Sequence, residues 1–174
     1  MRVGVLTVSD GVARGVREDG SGDLLEAWAQ EEGRILAQRE VVVDETSAIV
    51  PILLKWCDGG MVDLIVTTGG TGFSPRDVTP EATLAVADRL VPGIPELLRG
   101  EGRNSTPLAV LSRGVAAIRG RTLMVNLPGS RGGVQDGLAA LAGVVEHAVA
   151  ITSHRATFHS PGAPPVQGPM GRHR

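Results

Sequence analysis

Short runs of almost uninterrupted aliphatic residues constrain this chain more than any other feature: each is closed by glycine, hydroxyl or carboxylate groups and followed by a helix-like stretch. Val3–Val8 and Met61–Thr67 read this way, and so does Ile35–Val43 in its "VVV" end, the surest part of that strand. A strand that is apolar along its whole length must be covered on both faces, and helical stretches between such strands supply the crossovers of a parallel sheet. The expected helices are Asp23–Glu32, Thr46 or Ser47 to Cys57, and Pro80–Arg89. In the first, Leu24, Leu25 and Trp28 form the apolar face and Gly33 follows the end. The second has Pro51 in or near its first turn, and the third has Thr79 as its cap. A short helix over Pro92–Gly102 follows, then strands Val115–Ile118 and Thr122–Asn126 forming a hairpin about Arg119-Gly120, and a last helix Val134–Thr152. The expected fold class is α/β, a three-layer α/β/α domain with a mostly parallel sheet plus a small hairpin, spanning residues 1–154. Ser9–Gly22 reads as a polar loop, and the Pro/Gly-rich residues 155–174 as an extended tail.

Several function classes drop out on composition. The chain has two Trp, two Phe and no Tyr, too few rings for a protein that stacks nucleic-acid bases. A net charge of -2 with interspersed signs offers no basic face to nucleic acid or to an anionic membrane. No apolar run approaches the about 18 residues of a membrane span, and the opening "MRVGVLTVSDG" does not read as a signal peptide. The single cysteine, Cys57, excludes an intrachain disulfide and suits a reducing, cytoplasmic setting. It sits beside Trp56 in a helical stretch and reads as a small core residue. Lys55 is the sole lysine, and the histidines His147, His154, His159 and His173 all lie near the C-terminus. Phosphate chemistry at the glycine turns must therefore use backbone N–H groups and arginines. A metal there would be held by oxygen ligands, which favours Mg²⁺ over zinc.

In an open α/β sheet, ligands bind beyond the carboxyl ends of the strands. Ser9-Asp10 follows the first strand, Asp44-Glu45 the second, Thr68-Gly69-Gly70-Thr71-Gly72 the third, and Pro128-Gly129-Ser130 the strand ending at Asn126. Glycines allow backbone to approach a ligand closely, and successive N–H groups form an anion-binding concavity. The turn "TTGGTG" is neither a Walker loop nor a dinucleotide fingerprint, since no Lys-Ser/Thr follows and G-x-G-x-x-G is absent. Asp77 of "RDVTP" has two readings, as support for a helix N-terminus in a surface pair with Arg76, or as a ligand to Mg²⁺ or organiser of phosphate with Arg76 contacting anions or a partner. Asp44 can likewise cap a helix or point into the same cleft. Ser112-Arg113 owes its candidacy to position. Ser130 lacks the spacing of a nucleophile elbow.

With "VGVLTVSDG", "VDE", "TTGGTG…RDVTPEAT", "LSRG" and "NLPGS" in order from Val3 to about Ile151, the chain resembles the molybdenum-cofactor biosynthesis family of MogA and MoaB, which includes the G domain of gephyrin. The resemblance implies a molybdopterin-binding fold, assembly as a homotrimer, and molybdopterin adenylyltransferase activity: the terminal phosphate of molybdopterin attacks the α-phosphorus of ATP and pyrophosphate leaves. It implies that Asp44 and Asp77 are the catalytic, Mg²⁺-associated carboxylates and that Gly69–Gly72 hold phosphates. Ser9, Asp10, Thr68, Ser112, Arg113, Pro128, Gly129 and Ser130 are then the remaining binding residues. A downstream molybdate-insertion protein is the implied partner, with no nucleic acid and no membrane involved. The alternative is a non-catalytic molybdopterin carrier or an inactive MoaB-type relative, although a carrier has no need of paired carboxylates. The missing Walker lysine argues against a nucleotide switch.

Overall fold

The computed structural model describes residues 1–31 and 33–153. Its sheet has six strands in the order β2-β1-β3-β6-β5-β4. Strands β1 (Arg2–Val8), β2 (Ile35–Val42), β3 (Leu64–Thr68) and β6 (Thr122–Leu127) run parallel, while β5 (Ala116–Arg119) and β4 (Arg89–Leu90) add antiparallel on one edge. The expected sheet with its hairpin is thus the observed one.

Alternation along the central strands sends side chains into two cores. Val3, Val5, Leu64, Val66, Leu123, Val125 and Leu127 meet α2 (Gly20–Ala29), α5 (Gly93–Gly102), α6 (Arg131–Leu141) and α7 (Val145–Thr152). Leu6, Val8, Ile65 and Met124 meet α3 (Thr46–Asp58) and α4 (Thr79–Val86). Cys57 is buried in this second core, as the sequence suggested. The central strands β1, β3 and β6 are therefore apolar on both faces because each face has a helical layer.

The structure departs from the sequence reading where tertiary contacts override local pattern. The Ser9–Gly22 segment is not all loop: α1 (Asp10–Ala13) forms with Ser9 as its N-cap, and α2 begins at Gly20, where the Asp19 carboxylate accepts from Gly22 N at 2.8 Å. Helix α3 starts at Thr46 with Glu45 in the cap position and no side-chain cap, and Pro51 lies inside it. Helix α4 stops at Val86, short of Arg89, because Asp88 N and Val91 N donate to carbonyls of Ile118 and Ala116, and the sheet edge claims Arg89-Leu90 as β4. The expected last helix is two helices, α6 and α7, bent by 67° across residues 142–144. The bend lets Leu141, Val145 and Val149 all enter the first core. Glu32, the expected end of the first helix, and the 155–174 tail lie outside the described residues. No single helix among the described residues is long and apolar enough to cross a membrane.

Candidate active site

The turn after β3 is fixed by contacts that leave no room for side chains. Gly69 has φ +96°, and a β-carbon there would stand 2.1 Å from the Val8 carbonyl oxygen. Gly70 has φ +63°, and its β-carbon would stand 2.3 Å from Thr79 Oγ1. Both conditions select glycine. From below, a buried polar chain supports the turn. Thr79 Oγ1 donates to Gly69 O (2.8 Å), Thr83 Oγ1 to Thr79 O (2.9 Å), and Asn126 Nδ2 to Thr83 Oγ1 and Thr67 Oγ1 (3.0 Å each). Asn126 Oδ1 accepts from Val115 N at 3.1 Å, so this 2%-exposed amide is satisfied at both ends.

Asp44 and Asp77 flank this turn. Asp44 Oδ1 lies 3.3 Å from the place a Gly70 β-carbon would take, and Asp77 Oδ2 lies 2.9 Å from the corresponding place at Gly72. Asp44 and Asp10 hold each other reciprocally: Asp10 N donates to Asp44 Oδ2 (2.7 Å) and Asp44 N to Asp10 Oδ1 (3.3 Å). Arg76 clamps the other side of Asp10, with Nη2 2.8 Å from both carboxylate oxygens, and also reaches Glu45 at 3.5 Å. The guanidinium hydrogen bond keeps Asp10 below the usual carboxylate range. Asp44 moves the other way: burial raises its pKa, and the charges of Asp10 and Asp77 add to the rise. Asp77 Oδ2 accepts from Ser74 N at 2.7 Å, which fixes the carboxylate on its loop.

Arg113, a sequence candidate for ligand contact, has its guanidinium committed inside the protein. It donates to Gly72 O (2.7 Å), to the Asp77 carbonyl and to Glu81. Glu81 is held below its ordinary pKa by this hydrogen bond. The geometry makes Arg113 a brace tying the glycine turn to the first turn of α4. Arg76 is occupied in the same manner by Asp10.

Two cavities meet at this turn. A polar cleft of about 610 Å³ takes Ser9, Asp44, Thr68, Gly69, Gly70 and Gly129 from the sequence candidates. Its wall also includes Arg17, Gly20 and Ser21, and Arg131 at the start of α6, which the sequence reading missed. Arg131 Nη1 lies 2.8 Å from where a Gly20 β-carbon would sit, so α6 and α2 begin side by side. An apolar groove of about 550 Å³ takes Thr71, Gly72, Ser112 and Pro128 and continues to Phe73, Leu98, Leu108 and Asp136. Ser130 lines both cavities, and its Oγ caps α6 by accepting from Gly133 N at 3.1 Å. Asp10, Asp77 and Arg113 stand behind these surfaces. "GSRGG" was the available signal for Arg131. Nothing local marks Leu98 on α5 or Leu108 in the 3-10 turn Pro107–Leu111, which line the groove only because these elements pack together.

A metal or anion ligand is testable against these residues. Asp44 and Asp77 supply hard oxygen donors on either side of one turn, and the mutual charge felt at Asp44 is what a divalent cation would relieve. Among the described residues no cluster of three or more His, Cys, Asp or Glu forms a ready-made metal cage. Such a pair suits a cation that also takes ligands from a substrate's phosphates, as Mg²⁺ does.

Fold and cleft together define an α/β protein with a polar cleft beyond the carboxyl ends of parallel strands, where sheets of this kind bind ligands, at a glycine turn with two carboxylates beside it. The family described as "Probable molybdopterin binding domain" matches residues 4–147. Molybdopterin adenylyltransferase of Helicobacter pylori (strain J99) is 39% identical over 151 residues, 86% of either chain. Among solved structures, the molybdopterin biosynthesis enzyme MoaB of Thermus thermophilus superposes with a TM-score of 0.83 at 46% identity, covering 88% of this chain and 96% of that one. The molybdopterin biosynthesis Mog protein of Mycobacterium ulcerans gives 0.82 at 42%, covering 87% and 98%. The chain belongs to the MogA/MoaB family of molybdenum-cofactor biosynthesis proteins.

Proposed function

We propose that the chain is a molybdopterin adenylyltransferase, joining the terminal phosphate of molybdopterin to the AMP moiety of ATP. The observation that carries the reading is a glycine turn with two carboxylates against it: Asp44 beside Gly70 in the wall of a cleft that the first turns of two helices complete, and Asp77 beside Gly72 just behind it. One phosphate oxygen of molybdopterin forms a bond to the α-phosphorus, the bond from that phosphorus to the bridging oxygen breaks, and pyrophosphate leaves with the electron pair. The attacking phosphate is already an anion near neutral pH, so no general base is required, in keeping with a cleft whose described lining residues include no histidine or lysine.

Catalysis in this reading is positioning and charge management. The amides of Gly69 and Gly70, with the first turns of α2 and α6, bind phosphate oxygens. Arg131 and Arg17 add positive charge at the wall. Asp44 and Asp77 are the residues that would hold Mg²⁺, which when bound neutralises charge on the triphosphate. Asp10 and Arg76 position Asp44, and Arg113 positions the Asp77 loop. Cytoplasmic location, trimeric assembly and hand-over to a downstream molybdate-insertion protein belong to the same reading and are supported by the family resemblance.

The test is one assay. Purified protein is given molybdopterin, ATP and Mg²⁺, and adenylylated molybdopterin is scored beside Asp44→Ala and Asp77→Ala. Product from the wild type alone is the expected result. No product, with molybdopterin still tightly bound, would turn the reading to a carrier.

A further inference from the structure

The apolar groove has two charged side chains in its wall, Arg99 and Asp136. Arg99 is occupied: its Nη1 donates to the carbonyls of Ser112 and Gly114, at 3.3 Å each. The Asp136 carboxylate makes no hydrogen bond or ion pair with any described residue. It lies in the second turn of α6, past the first turn in which a negative side chain is stabilised by the helix dipole, and aspartate is a weak helix former. Local helix physics therefore gives no reason for a carboxylate there.

A carboxylate on an otherwise apolar wall is an acceptor awaiting donors, and its two oxygens can accept two parallel N–H bonds. The groove also meets the phosphate turn directly, since Thr71 and Gly72 line it while the adjacent Gly69 and Gly70 line the polar cleft. A ligand with a flat ring in the groove and a phosphate at the turn would span both.

We propose that Asp136 is a specificity-determining residue that selects the pterin ring of the substrate, its carboxylate accepting from the ring N–H and the exocyclic amine of the 2-amino-4-oxopyrimidine edge. Those two donors sit side by side on that edge. Adenine instead presents an amine beside an unprotonated ring nitrogen, whose lone pair would face the carboxylate. The groove therefore admits the pterin and rejects the base of ATP. This inference rests on the adenylyltransferase reading above.

Asp136→Asn tests it while keeping the side chain's size. Molybdopterin binding is followed by pterin fluorescence and ATP binding by calorimetry, in wild type and variant, with free pterin and its 2-oxo analogue lumazine as competitors. The variant should bind molybdopterin about tenfold to a hundredfold more weakly, with ATP affinity and thermal midpoint unchanged. It should also lose the wild type's preference for pterin over lumazine, a change that a purely structural role would not produce. Equal molybdopterin affinity in both proteins, with wild-type product formation intact, overturns the inference alone. Loss of ATP binding instead would assign the groove to the nucleotide base and overturn it too. A wild type that neither binds molybdopterin nor forms product defeats the underlying reading, and the inference with it.

Discussion

The polar cleft and the apolar groove share Ser130 and one glycine turn, yet they are built from different materials. Strand ends, glycines and the first turns of helices make the cleft, so its shape is set by backbone. The groove is made of side chains on α5, α6 and the 3-10 turn Pro107–Leu111, so its shape depends on how helices pack. A site written in backbone tolerates almost no substitution at its glycines and carries little ring specificity. A site written in side chains can be retuned one residue at a time. In the proposed reading, the two cavities divide the recognition of a phosphorylated heterocycle along that line.

The largest effect should come from breaking the backbone side. Gly69→Ala forces a β-carbon against the Val8 carbonyl at a φ of +96°, so activity should fall about a thousandfold or more, with a destabilisation of about 1–3 kcal/mol measurable by denaturant unfolding. Asp77→Asn comes next. The residue sits on a loop, so the thermal midpoint should hardly change, while turnover should drop by about a hundredfold or more in the adenylylation assay. Turnover at the wild-type rate would remove Asp77 from the metal site. Asn126→Ala strips the support beneath the turn and leaves Val115 N and two threonine hydroxyls short of a partner. The expected cost is about 2–3 kcal/mol in urea unfolding.

On the groove side, Phe73 is 67% exposed at the rim, and Phe73→Ala should weaken pterin binding by about threefold to tenfold at unchanged stability. The smallest effect concerns Cys57. Burial raises its pKa to about 11, so at pH 8 the thiol stays protonated and a maleimide should label the native protein hardly at all, but the urea-unfolded chain readily.

The same division explains what was legible in the sequence. Apolar runs at Val3–Val8 and Thr122–Asn126 announced strands because burial on both faces leaves a local signature. "TTGGTG" announced the turn because only glycine satisfies its dihedral angles. Asp44 and Asp77 could be named from their motifs, but their flanking of a single turn could not be read. That depends on the reciprocal hydrogen bonds to Asp10 and on the Asp77–Ser74 contact. Arg113 and Arg76 looked like ligand contacts because position alone cannot show which carboxylate or carbonyl a guanidinium will meet. The strand β4 and the split of the last helix were hidden for a similar reason: each follows from pairing or packing with residues far away in the chain. Asp136 was invisible, since an unpaired carboxylate on a helix looks like any solvated one until the opposite wall is known.

The hydrogen-bonded chain from Asn126 through Thr83 and Thr79 to Gly69 also bears on the order in which this protein comes to life during synthesis. Its last member in sequence, Asn126, lies 59 residues beyond Thr67 and 43 beyond Thr83. The turn can be drawn early, yet it gains its footing only when the strand bearing Asn126 has left the ribosome and slotted in beside β3. A nascent chain halted before that strand would carry every motif residue up to Asp77 without the scaffold that aims them. Ligand capture is thereby deferred until the domain is nearly whole.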